Sequence, residues 1–193
     1  MLRVEKINYE VKGRKLLKDI TFQVRKGEIL AVLGANGAGK STLMALLCGE
    51  KKPDSGQIHF NGKLLSAYDA ATLSKCRALL SQQQQITLGF KVEELVLMGR
   101  YPHYKNTPTA HDCQVVAETM ELCGVTAFAD RDFLSLSGGE QQRVHLARVL
   151  AQIWDNPDAL LLLDEPISPL DLHYQQKVLA KHRALARTAF IVT

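Results

Sequence analysis

Residues 34–41 read "GANGAGKS" and match the spacing G-x-x-x-x-G-K-S/T. With Gly34, Gly37 and Gly39 in the loop, and only Ala35, Asn36 and Ala38 between them, the backbone can turn tightly enough for successive N–H groups to point into one hollow. The run "KSTLMALLC" that follows is helical in pattern, so the hollow opens on the partly positive N-terminus of a helix. A loop of this kind cradles the phosphates of a nucleotide. Lys40 then reaches the β- and γ-phosphates, Ser41 a Mg2+ ion and Thr42 the α-phosphate. The glycine pattern is not G-x-G-x-x-G, which disfavours a dinucleotide fold.

Two further stretches carry chemistry. "LLLLDEP" (160–166) is an apolar strand ending in two carboxylates, where a P-loop NTPase places its Mg2+-binding aspartate. Adjacent strand residues point to opposite sides, so Asp164 and Glu165 cannot share one task. Asp164 suits the metal shell; Glu165, one residue further out, suits a base that orients and polarises the attacking water. "LSLSGGEQQR" (134–143) offers a second glycine-opened helix, with Ser137, Gly138 and Gly139 at its start. Its bare N–H groups suit an anion, yet the chain already has a phosphate cradle nearly a hundred residues earlier.

These residues need elements to hold them. Strand-like apolar runs alternate with helical ones, which predicts an α/β fold. "ILAVL" (29–33), "ALLLL" (159–163) and "AFIV" (189–192) read as buried parallel strands. "LRVEKINYEV" alternates polar and apolar residues like a half-exposed antiparallel strand, and "GQIHFNGK" (56–63) like a strand entering an Asn61–Gly62 turn. The middle is different in texture. "VEELVLMGR" (92–100) and "TAHDCQVVAETMELCG" (109–124) are helical, the second with Thr109 as N-cap, and the proline-bearing "YPHYKNTP" between them is a loop. The organisation expected is one domain over 1–193. A helical subdomain at 84–136 is inserted into a nucleotide-binding core made of 1–83 and 137–193.

At 193 residues, 46% hydrophobic and 23% charged, the chain can bury a real core. No apolar run approaches the ~18 residues of a membrane helix, and "MLRVEKINYE" is not a signal peptide, so a soluble cytosolic protein is expected. Cys48, Cys76, Cys113 and Cys123 show no CxxC spacing, as suits a reducing compartment. The net charge of +4 has its source near the end, where no acid follows Asp171 and Lys177, Lys181, Arg183 and Arg187 accumulate. That reads as a solvated face rather than a nucleic-acid stripe. His103, His111 and Cys113 are close in sequence, but Cys113, Val116, Met120 and Cys123 fall at helical spacing on one predicted core face, which argues against a metal set. His145 shows no acid–base role.

Taken together, "GANGAGKS", "LSGGEQQR", "LLLLDEP" and "SPLD" resemble the motif set of the ATP-binding-cassette (ABC) ATPases, over essentially the whole chain. The resemblance implies a P-loop core with an antiparallel β subdomain and a helical subdomain. It also implies a head-to-tail homodimer in which each ATP, with Mg2+, lies between one subunit's P-loop and the other's Ser137–Gly139. In that arrangement the second cradle holds the partner's phosphate. Tyr9 matches the aromatic that stacks on adenine. Gln82, with Gln83 directly after it, matches the glutamine that senses Mg2+ and links to the membrane partner. Asp171 matches the aspartate that reaches the opposite P-loop, although Pro169 stands where an alanine is usual.

A single cassette without coiled coil or fused membrane helices is similar to importer subunits. "VEELVLMGRYPHYKN" resembles those that energise uptake of iron-siderophore, haem and vitamin B12, the hemin-import ATPases most of all. Implied partners are transmembrane permease subunits and, indirectly, a periplasmic binding protein, at the cytoplasmic face of the inner membrane. The alternative is a non-transport ABC ATPase acting on nucleic acid. In the family a histidine follows the strand matched by "AFIVT" almost at once, so the resemblance predicts a C-terminally truncated chain with little turnover.

Overall fold

The computed structural model describes residues 1–81, 86–164 and 188–192, the last for its backbone alone. In chain order the elements are β1 (Leu2–Val11), β2 (Arg14–Val24), β3 (Ile29–Val32), α1 (Lys40–Leu47), β4 (Ser55–Phe60), β5 (Lys63–Leu64) and α2 (Ala70–Cys76). They continue with β6 (Arg77–Leu80), α3 (Val92–Leu97), α4 (Ala110–Leu122), α5 (Gly138–Ile153), β7 (Leu160–Asp164) and β8 (Thr188–Val192). Among the described residues these strands form two four-stranded sheets. One is antiparallel, ordered β2-β1-β4-β5; the other runs β3-β8-β7-β6 with every described pairing parallel. Both hairpins of the antiparallel sheet turn through two residues of positive φ, Lys12–Gly13 and Asn61–Gly62, which matches the strands' right-handed twist.

The parallel sheet divides the interior, and β7 shows how. Leu161 and Leu163 face a core shared with α3, α4 and α5, while Leu160 and Leu162 face α1 and the antiparallel sheet. A strand buried on both faces must read as a continuous apolar run, as "LLLL" does. The run at 29–33 carries the same signature but behaves differently. Among the described strands β3 lies at the end of its sheet, with one strand neighbour, and Ala31 stays exposed while Ile29, Leu30 and Val32 are half-buried. An apolar run reports hydrophobicity, not position in the sheet.

Helices α3 and α4 pack on α5, which is buried around most of its girth. Thr109 caps α4 as expected, with a reciprocal box to Asp112. The predicted core face of α4 needs correction: Val116, Met120 and Cys123 are buried, but Cys113 is exposed and Asp112 lies inside. Arg100 draws Asp112 in. Only 1% exposed, its Nε donates to Asp112 at 2.9 Å, Nη1 to the Ala151 carbonyl at 2.8 Å and Nη2 to Asp155 at 2.6 Å. One guanidinium thus joins the end of the α3 segment to α4 and α5. His111 Nε2 lies 2.8 Å from Asp155 and His103 Nε2 donates to the Gln152 carbonyl, so both histidines are engaged at the end of α5. Among the described residues no group of three or more His, Cys, Asp or Glu side chains is placed to hold a metal ion by itself.

This network sets an acid limit on stability. Burial pushes the Asp112 carboxyl up, but hydrogen bonds from Thr109 and the Arg100 guanidinium outweigh it and hold the group at about 2. A folded-state pKa below the unfolded value stabilises above about pH 4, and the contribution is lost as pH falls toward about 2. Urea unfolding should therefore show wild-type stability dropping across that window. Asp112→Asn should be less stable at neutral pH and lose less on acidification, with the rest of the slope carried by Asp155, also held low within the network. Parallel pH profiles for the two proteins would count against this.

Candidate nucleotide site

The loop between β3 and α1 is built as its glycines require. Gly39, the N-cap of α1, has φ +92°, and a Cβ there would stand 2.6 Å from the Leu16 carbonyl oxygen and 3.0 Å from the Leu17 side chain. Strand β2 crosses directly against the loop, and only glycine admits that approach. The Lys40 Nζ donates to the carbonyls of Ala35, at 3.1 Å, and Gly34. Asn36, Gly37, Gly39, Lys40, Ser41 and Thr42, with Arg14 and Leu16 of β2, line a cavity of about 430 Å³. That is the size range of small-molecule sites. Helix N-terminus, lysine and inward loop backbone meet in it, so the residues present fit a polyphosphate. Ala38 shapes the turn, its N–H donating to the Ala35 carbonyl at 3.1 Å.

Asp164 ends β7, half-buried, paired in parallel with Val192 of β8. Because the strands run parallel, the end of β7 and the loop after β3 lie at the same carboxyl edge, two strand positions apart. Ligands of open α/β sheets sit at that edge. Ser41 and Asp164 therefore fit a hydrated divalent cation beside the phosphates. Gln82, Glu165 and Asp171 lie outside the described residues.

The second cradle is formed and faces outward. Ser137 caps α5 in a box with Glu140: its amide and hydroxyl donate to the Glu140 carboxylate at 2.8 and 2.7 Å. Those bonds hold the Glu140 carboxyl below its usual range. Ser137 and Gly138 are exposed, and a Cβ on Gly138 would meet nothing within 4 Å. None of residues 137–139 lines the cavity at Lys40. Within one chain the two glycine cradles thus stay separate.

Tyr9 is not brought to that cavity either. Its half-buried ring packs against the core between the antiparallel sheet and α1, with the Lys51 ammonium 5.5 Å from its centroid. Conversely, sequence reading passed over Arg14 and Leu16. The signal available was the pair "KG" before "RKLL", which marks a hairpin returning toward the loop.

A cavity at the carboxyl edge of a parallel sheet, floored by a glycine loop and a helix N-terminus, defines a P-loop nucleotide-binding protein. The ABC transporter family model matches residues 17–168. The hemin import ATP-binding protein of Gloeobacter violaceus is 45% identical over the whole chain, which covers 72% of that relative. Among solved structures, an inward-facing transporter described as of the metal-chelate ABC type shares 35% identity at TM-score 0.79, covering 100% of this chain and 72% of that one. A dimeric bacterial ABC transporter cassette shares 25% identity at TM-score 0.80, covering 100% and 88%. The chain belongs to the ABC transporter family, as one of its ATP-binding, ATP-hydrolysing cassettes. No helix among the described residues is long and apolar enough to cross a membrane.

Proposed function

We propose that this chain is the ATPase subunit of an importer that takes up hemin or a related iron chelate through a separate transmembrane permease. A periplasmic binding protein delivers the cargo, and the cassette sits peripherally on the cytoplasmic face of the membrane. The hemin reading rests on likeness to the import ATP-binding proteins over the full chain. The organisation is one cassette, with the helical subdomain of 84–136 inserted between the core segments 1–83 and 137–193.

Backbone groups of Gly34, Asn36, Gly37, Ala38 and Gly39 wrap the phosphates, Lys40 neutralises the β- and γ-phosphates, and Thr42 holds the α-phosphate. Ser41, Asp164 and Gln82 are the residues for Mg2+, which when bound neutralises charge developing between the β- and γ-phosphates. Glu165 takes a proton from the attacking water. Ser137, Gly138 and Gly139 of a second copy close the site over the γ-phosphate, and Asp171 reaches across to the opposite P-loop.

The carrying observation is the separation just described: one cradle lines a cavity at Lys40, and the other stands exposed at Ser137 and takes no part in that cavity. A second copy in head-to-tail orientation unites them. Ser137→Arg should leave ATP binding to isolated subunits nearly intact yet block ATP-driven pairing, because a long cation intrudes where the partner must approach. Mixed with a Lys40→Ala subunit, the heterodimer retains one site with both halves wild type, so partial pairing should return. Light scattering that shows ATP-dependent dimers of Ser137→Arg alone would sink the trans arrangement.

A further inference from the structure

We infer that Arg14, and not Tyr9, is the residue that holds the nucleotide base, its guanidinium plane lying against the adenine with Leu16 as apolar support. The inference rests on the P-loop reading above and refines the base end of that site.

Three observations carry it. First, among the described residues the cavity that begins at Lys40 is continued by two residues of β2, Arg14 and Leu16. Second, β1 and β2 lose register here. Tyr9 pairs with Leu17 but Glu10 with Lys15, so Leu16 is an extra residue in β2. A bulge re-aims side chains: Leu17 is 5% exposed in the core while its neighbour Leu16 turns to the cavity. Third, Tyr9 is already engaged elsewhere, packed on the core beneath Lys51.

The order of residues along β2 sets which end of the nucleotide each meets. The strand touches the phosphate loop at Leu16, whose carbonyl abuts Gly39. Arg14 is two residues further from that crossing, about 7 Å along the strand, at the hairpin end. Phosphates held at Lys40 and the α1 N-terminus leave the ribose and base to extend past Leu16 toward Arg14. Among the described residues no aromatic lines the cavity, so the flat surface they offer a purine is the guanidinium, which stacks on base faces as aromatic rings do. Arg14 is exposed and among the described residues has no carboxylate partner, so nothing holds it away from the base.

The test separates base from phosphate by using two probes, ATP and inorganic tripolyphosphate, each titrated with Mg2+ by calorimetry. Arg14→Ala should weaken ATP about 10-fold, as loss of a desolvated cation–π stack would, and change tripolyphosphate less than about twofold. Arg14→Lys, which keeps the charge but not the plane, should bind ATP like Arg14→Ala. Tyr9→Leu, which keeps an apolar group on the core, should bind ATP like wild type. Equal loss of both probes in Arg14→Ala, full ATP affinity in Arg14→Lys, or a loss confined to Tyr9→Leu would each overturn the assignment. Failure of the wild-type chain to bind either probe would instead overturn the P-loop reading, and this assignment with it.

Discussion

Lys40→Ala should lower Mg·ATP affinity by about 100-fold or more, the loss expected when a charge-assisted hydrogen bond to phosphate is removed from a partly enclosed site. The fold should be untouched. In the structure the Lys40 ammonium contacts only the carbonyls of Gly34 and Ala35 among the described residues, and its stem is not part of either core. Gly39 still caps α1, and the loop keeps its backbone N–H groups, so a weakened anion site survives. Arg14 remains at the other end of the cavity. Titration of a fluorescent ATP analogue, alongside thermal melts of both proteins, provides the measurement. Unchanged affinity with an unchanged melt would refute the phosphate role of this loop.

The second large effect separates chemistry from binding. Glu165→Gln, in the subunit assembled with its permease, should reduce ATP turnover by ~10²-fold or more, since an amide cannot take the proton of the attacking water. Nucleotide affinity should hold, because Lys40, Ser41 and Asp164 are unaltered. With hydrolysis blocked, ATP stays at the paired interface and the closed dimer accumulates. Light scattering of the isolated subunits with ATP and Mg2+ should then find dimers of the variant where the wild type cycles through monomers. Near-normal turnover in this variant would transfer the base role away from Glu165. Monomers alone would break the link between bound ATP and pairing.

The three variants fail at different stages. Lys40→Ala never fills the cradle, so neither pairing nor hydrolysis follows. Glu165→Gln fills it and pairs, then stalls. Ser137→Arg binds and cannot pair. A single-chain site would give no such order, because the Ser137 cradle would then bear on nucleotide binding itself.

Much of the architecture could be read from residue order. The P-loop needs only its glycine spacing, a strand before it and a helix after it, all local features, and Gly39 has the positive φ that the loop demands. The Ser137–Glu140 capping box is likewise written within four residues, and the Asn61–Gly62 turn within two. Strand β7, apolar over residues 160–163, has the pattern of a strand buried on both faces, and its leucines do divide between the two cores.

What tertiary structure decided were partners distant in sequence. Arg100 is a charged residue at the end of a helical segment, and nothing local says that it is buried. Its partners Asp112, Ala151 and Asp155 come from two other segments, and their hydrogen bonds offset the desolvation that would otherwise keep it at the surface. The same pairing pulled Asp112 inward and left Cys113 outside, against helical periodicity counted from apolar residues alone. Whether "ILAVL" was an inner or an end strand depended on sheet order, which arises from pairings across more than 150 residues of chain. The base end of the cavity follows the same rule. Tyr9 carries the aromatic chemistry, but one extra residue in β2 turned Leu16 toward the phosphate loop and Arg14 lines the cavity beside it. Local spacing determines which backbone can cradle a phosphate; register between strands determines which side chain meets the rest of the nucleotide.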